Sequence, residues 1–197
     1  TILGQDVVGY RLGWVLGDKT VPLESATNLP INIENKFYSL SANHGTMMTQ
    51  NGSRQQIVNL IAGSDLVVSS DIITQDILKC ELNGQAISVF SPLDIFVTDQ
   101  NGNKIGLAED GSIMNEIPNA AFEIMGEHKF LYLPNDNGQI YNILLDGTAT
   151  GTYTIKSDGI ENGEVIKTEV FSNLPVTAEL TGTVNLENQT TLTIQQN

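Results

Sequence analysis

This sequence predicts a mainly β protein with a smaller α/β portion at its front, on three observations. From about residue 82 onward, short runs of strand formers are separated by Gly, Asn and Asp at roughly ten-residue spacing, the rhythm of a β-sandwich. Hardly any helical period interrupts that half. Before residue 63, strand signals alternate with a helix signal, which is α/β grammar.

Taken in order, residues 7–16 are rich in strand formers and residues 36–40 read as a short strand. Residues 53–62 read as a helix, with Ser53 as its cap, Ile57, Leu60 and Ile61 on one face, and Gly63 just past its end. Residues 64–81 carry Ser, Asp and scattered aliphatics without a period and read as a connector. The single cysteine, Cys80, lies there among Ile77, Leu78 and Leu82, so it reads as a structural thiol; an intrachain disulfide is ruled out. Next, residues 93–97 and 104–107 flank Gln100-Asn101-Gly102-Asn103, a hairpin signal because Asn and Gly both tolerate positive φ. Further strands are expected at 130–133, 140–145, 151–156, 164–171, 177–184 and 190–195. The division is therefore 1–63, a connector 64–81, and a sandwich 82–197.

Composition narrows the partners. Twenty-three acids against nine bases give a formal charge of −14, which repels a phosphate backbone and argues against nucleic-acid binding. The acids are dispersed through Gly/Asn-rich turns, as a solvated surface would have them. No run reaches the roughly 18 apolar residues of a membrane span. The opening Thr1-Ile2-Leu3-Gly4-Gln5-Asp6 lacks the charged and apolar regions of a signal peptide and has no Met, so a fragment of a longer polypeptide is expected.

The candidate chemistry lies in the first third. Asp18 follows one strand signal, and His44 of Asn43-His44-Gly45 follows the next, just before the helix. Adjacent strand ends let a carboxylate reach an imidazole Nδ1–H, fix its tautomer and stabilise the imidazolium formed when the other nitrogen takes a serine proton. Gly17-Asp18-Lys19-Thr20-Val21-Pro22-Leu23-Glu24-Ser25-Ala26 resembles the G-D-G-T-V-P-x-x-S-A segment of lipase-like α/β-hydrolases, the group that includes lecithin:cholesterol acyltransferase relatives. Lys19 stands where that segment has glycine. The resemblance covers about residues 7–63 and implies the C-terminal end of such a domain, with Asp18 as the triad acid and His44 as the general base.

The nucleophile is missing. No G-x-S-x-G occurs, and Asn51-Gly52-Ser53-Arg54, Ala62-Gly63-Ser64-Asp65 and Asp110-Gly111-Ser112-Ile113 all lack the second glycine and a preceding buried strand. The expected serine is therefore upstream, on a partner portion acting on a lipid or ester substrate, and this chain alone is expected to be inactive. His128, in Gly126-Glu127-His128-Lys129, reads as an exposed turn residue.

In the second half, Ser91-Pro92-Leu93-Asp94-Ile95-Phe96-Val97-Thr98-Asp99, Asn115-Glu116-Ile117-Pro118-Asn119-Ala120 and Gly151-Thr152-Tyr153-Thr154-Ile155 resemble segments of immunoglobulin-like modules appended to bacterial secreted and surface proteins. That resemblance implies an immunoglobulin-like β-sandwich and a location outside the cell or at its surface, and assigns no activity. Asp99, Asn101 and Asn103 have the first-ligand spacing of a calcium loop, with Asp110 eleven residues after Asp99. Lys104 occupies the place of the turn glycine and Asp110 that of the bidentate Glu, so a hairpin turn is expected and no cofactor. Tyr132, Tyr141 and Tyr153 fit core or cross-strand positions better than a ligand platform. The alternative to a hydrolase tail is a non-enzymatic extracellular binding or adhesion module, with residues 1–63 as scaffold.

Overall fold

The computed structural model describes residues 17, 22–28, 30, 36–40, 42, 44–69, 72–80, 82–90, 92–108, 110–135, 139–187 and 191–196. The strand expected at 7–16 and the residue Asp18 lie outside them.

A short helix α1 (Leu23–Thr27) starts directly after Pro22, whose fixed φ suits a helix entry. The strand expected at 36–40 shortens to β1 (Tyr38–Ser39), and the expected helix is α2 (Asn51–Ile61). Residues 73 and 74, expected in the connector, form β2 (Ile73–Thr74), antiparallel to β1. Ser53 is not the helix cap. It lies inside α2, 4% exposed, with its Oγ 2.9 Å from Ser39 Oγ, so it joins the helix to β1. Gly63 at φ +66 ends the helix in the left-handed conformation that a helix C-terminus favours.

The rest is a β-sandwich built from strands β3 (Gly84–Phe90), β4 (Leu93–Asp99), β5 (Lys104–Leu107), β6 (Ile113–Asn115), β7 (Ala121–Met125), β8 (His128–Pro134), β9 (Tyr141–Gly147), β10 (Gly151–Glu161), β11 (Glu164–Val176), β12 (Thr181–Glu187) and β13 (Thr191–Gln196). One sheet runs β11-β10-β3-β8-β7 and the other β13-β12-β9-β4-β5-β6, and every pairing is antiparallel. Strands β3, β6 and β7 were not expected.

Period-two alternation fixes the core. On β4, Leu93, Ile95 and Val97 are buried, while Asp94, Phe96 and Thr98 between them are only half-buried. Ile87 and Val89 of β3, Leu131 and Leu133 of β8, Ile143 and Leu145 of β9 and Tyr153 and Ile155 of β10 join them in one cluster drawn from both sheets. Each such side chain contributes about 1.5–3 kcal/mol by leaving water. Ala86, Tyr132 and Ile160 form a smaller second cluster.

Two of the sandwich's hairpins show how turn residues set the chain reversal. Between β4 and β5, Asp99 N donates to Asn103 O at 2.9 Å around Gly102 at φ +85. Between β10 and β11, Asn162 at φ 52 and Gly163 at φ 80 join the paired Glu161 and Glu164 as a two-residue turn.

Candidate functional site

His44 is exposed on a tight turn that leads straight into α2. Thr46 O accepts from Thr49 N at 2.9 Å and from Gln50 N at 2.8 Å, and Gln50 O then accepts from Arg54 N, the next turn of the spiral. Upstream, Leu40 N donates to Ile72 O at 2.9 Å, which extends the β1–β2 pairing to the edge of the histidine turn. A two-residue strand, a turn carrying His44 and a helix thus follow one another, with β1 paired antiparallel to β2.

Asp18 lies outside the described residues, as do 19–21, whereas Gly17 and Pro22 are described. Gly17 and Pro22 form an antiparallel bridge, and α1 follows at once. Lys36 Nζ donates to Thr27 O at 2.8 Å and so ties the end of α1 to the residues entering β1. The contact places a charged donor on a helix C-terminal carbonyl, a favourable end for a cation.

None of the serines weighed as nucleophiles stands on a strand-to-helix elbow. Ser53 is buried against Ser39. Ser64 Oγ accepts from Leu66 N at 3.3 Å in the loop after α2. Ser112 Oγ donates to Asp110 Oδ1 at 2.6 Å within a sandwich turn.

The side of α2 that faces inward was not the expected one. Its buried residues are Gly52, Ser53 and Gln56, and Gln56 Oε1 accepts from Val68 N at 2.9 Å. Of the apolar set, Ile57 is half-buried, whereas Leu60 is 49% and Ile61 82% exposed, with Val58 at 51% beside them. Met48 in the histidine turn and Leu66 and Val67 after the helix are exposed as well. The amphipathic period signalled a face needing cover, but not that β1 and β2 would meet the other side.

The Asp99 loop is a side-chain-braced turn. Asp99 Oδ1 accepts from Asn101 N and Asn103 N, each at 2.8 Å, and Oδ2 from Asn103 Nδ2 at 2.8 Å. Burial alone raises this carboxyl, and the hydrogen bonds from Asn103 and Asn101 outweigh it, holding Asp99 below the usual carboxylate range. Asp110 is also held low, by Ser112. Among the described residues no three His, Cys, Asp or Glu side chains group as a metal site. The Asp-x-Asn-x-Asn spacing thus serves the backbone of its own hairpin.

The remaining candidates are structural. Tyr132 and Tyr153 are buried, Tyr132 Oη donates to Asn83 O at 2.9 Å, and Tyr141 Oη donates to Pro134 O at 2.7 Å. His128 opens β8, exposed, its ring edge-on to Phe90 at 5.2 Å. Burial pushes the half-buried Cys80 thiol up and Asp76 adds to it, the opposite of what a reactive thiolate needs.

No protein-family model matches the chain, and no curated protein and no solved structure does so either.

Proposed function

We propose that this chain is the C-terminal part of a serine hydrolase of the lipase- or acyltransferase-like α/β class, joined to an immunoglobulin-like sandwich. The observation that carries this reading is the exposed His44 turn between β1 and an α2 whose Val58, Leu60 and Ile61 are exposed. A helix that turns polar residues to a two-stranded ladder and leaves aliphatics outside is half of a layered α/β packing. A general base at its entrance needs the same missing body for its nucleophile.

In the complete enzyme His44 takes the proton of an upstream serine as it attacks an ester carbonyl, and returns it to the leaving alcohol. Asp18 holds the imidazole in the productive tautomer. Substrate is an ester, lipid esters included, and the protein works outside a bacterial cell or at its surface. The sandwich supports the immunoglobulin-like reading through its order: β5 and β6 lie on one side of β4 and β9 on the other, while β3 and β8 pair in the opposite sheet.

The gene upstream of Thr1 is expected to encode a buried strand followed by G-x-S-x-G, roughly one to two hundred residues earlier. The polypeptide extended to that motif hydrolyses a short-chain nitrophenyl ester, His44→Ala abolishes turnover, and the present chain alone shows none. An extended protein lacking the motif, or one whose turnover survives His44→Ala, refutes the reading and favours a binding or adhesion module.

A further inference from the structure

We propose that the outer edge of β11 docks a second copy of this chain, pairing antiparallel about a two-fold axis through Thr168. Among the described residues β11 pairs only with β10 and ends its sheet, so its far side offers backbone donors and acceptors along a 13-residue strand. Val165 is 47% exposed and Ile166 and Val170 are each 54% exposed. An edge this long and apolar is a template for strand addition.

Charge complementarity selects the occupant and the register. Lys167 and Glu169 stand two apart on one face of β11, Nζ to Oε1 3.2 Å within the copy. With Thr168 opposite its own counterpart, Lys167 of each copy faces Glu169 of the other, twice by symmetry, and Ile166 faces Val170 twice. Moving the axis one residue either way sets Lys167 against Lys167 or Glu169 against Glu169, and like charges directly opposite are destabilising. The strand is thus self-complementary at Thr168.

Two features keep the contact weak. The register with β10 shifts opposite Gly159/Ile160 and opposite Tyr153/Ile155, so the regular stretch of β11 is short, and such irregularities twist an edge away from partners. Each copy also carries −14, although a Debye length of about 8 Å at physiological salt limits that repulsion to the contact itself. A ladder of a few residues falls below a standard interface, and a Kd on the order of 0.1 mM is expected.

Sedimentation equilibrium of the chain from about 10 μM to about 1 mM, a range bracketing that Kd, is expected to follow a monomer–dimer isotherm. Lys167→Glu and Glu169→Lys should each weaken it about tenfold, the cost of the two charge pairs that each substitution reverses by symmetry. The two together restore the opposite-sign pairing and the dimer. In a Cys80→Ser background, Thr168→Cys should oxidise to a linked dimer; Ile166→Cys should not do so alone but should cross-link to Val170→Cys when the two are mixed. Circular dichroism checks that each variant is folded, and either charge reversal suffices if the other is not. A monomer at every concentration, self-association indifferent to both reversals, or Ile166→Cys linking as readily as Thr168→Cys would overturn the proposal.

Discussion

Lys129 on β8 and Asp94 on β4 join the two sheets by an ion pair of 2.8 Å, and the unequal burial of its ends makes an ordering prediction. The lysine side chain is 10% exposed and the aspartate 31%, so what each substitution strands differs. Asp94→Ala leaves a buried ammonium without this carboxylate, near the lower end of the roughly 3–5 kcal/mol for breaking a buried pair, about 3 kcal/mol. Lys129→Met keeps the apolar stem and leaves a carboxylate that water reaches, which costs about 1.5 kcal/mol. Asp146 stands opposite Asp94 in the β4–β9 register, so the Lys129→Met loss also carries a salt-screened repulsion. Combining the two substitutions removes both charges and should cost only about 1 kcal/mol, because replacing a buried pair by apolar groups is close to neutral. Urea unfolding followed by far-ultraviolet circular dichroism, with unchanged slope, gives each value. A milder effect of Asp94→Ala than of Lys129→Met, or additive single effects, would refute the account.

Two further outcomes follow from side chains held inside the sandwich. Because Asp99 is held below its ordinary value, its stabilisation is complete above the unfolded value of about 3.9 and lost as pH falls through the lower folded value; the stability gap between wild type and Asp99→Asn should therefore close from about pH 5 to pH 2. A gap constant with pH in acid melts would contradict this. Gln85 is 3% exposed, its Nε2 donates to Ser157 Oγ, and its Oε1 has no partner among the described residues, so Ser157→Ala alone should cost about 1–3 kcal/mol while Gln85→Met with Ser157→Ala should be neutral or better. A double variant that melts below the single one would count against an orphaned acceptor at this site.

How far the sequence could be read tracks how locally each signal is made. Strand β5 was expected at the residues it occupies, 104–107, because Asn101-Gly102 dictates a turn whatever surrounds it. Strand β10 was expected to stop at 156, since Ser157, Asp158 and Gly159 look like turn residues. In the fold Ser157 accepts from Gln85 across the strand pair, and Asp158 accepts from Lys156 and Thr168, so the polar run is satisfied within the sheet and continues to Glu161. Strand β3 went unseen because Gly84 to Ile87 are all buried, which erases the alternation that marks a strand with one wet face. At the front, Ser53 mimicked a cap, yet a cap and a buried hydroxyl meeting Ser39 leave the same mark in sequence. The turn and helix around His44 are encoded locally and could be read; the exposed side of α2 could not, since cover depends on what the helix meets in space.

The two halves differ in what their described residues bury, and that difference bears on the proposed function. Among the described residues the sandwich closes a core of seventeen buried residues, drawn from both sheets and from the β6–β7 connection. Among the described residues of the front, the ladder is two two-residue strands, too small to be stable in water without packing. The helix that should provide this packing offers it Gly52, Ser53 and Gln56, and leaves Val58, Leu60 and Ile61 outside. The proposed base, His44, sits in the turn that leads into this helix. On the proposed reading, the body that carries the serine also covers α2, so histidine geometry and front-half stability are supplied by one docking event. Activity and order at the front then rise together when the upstream body is present, while the sandwich is indifferent to it.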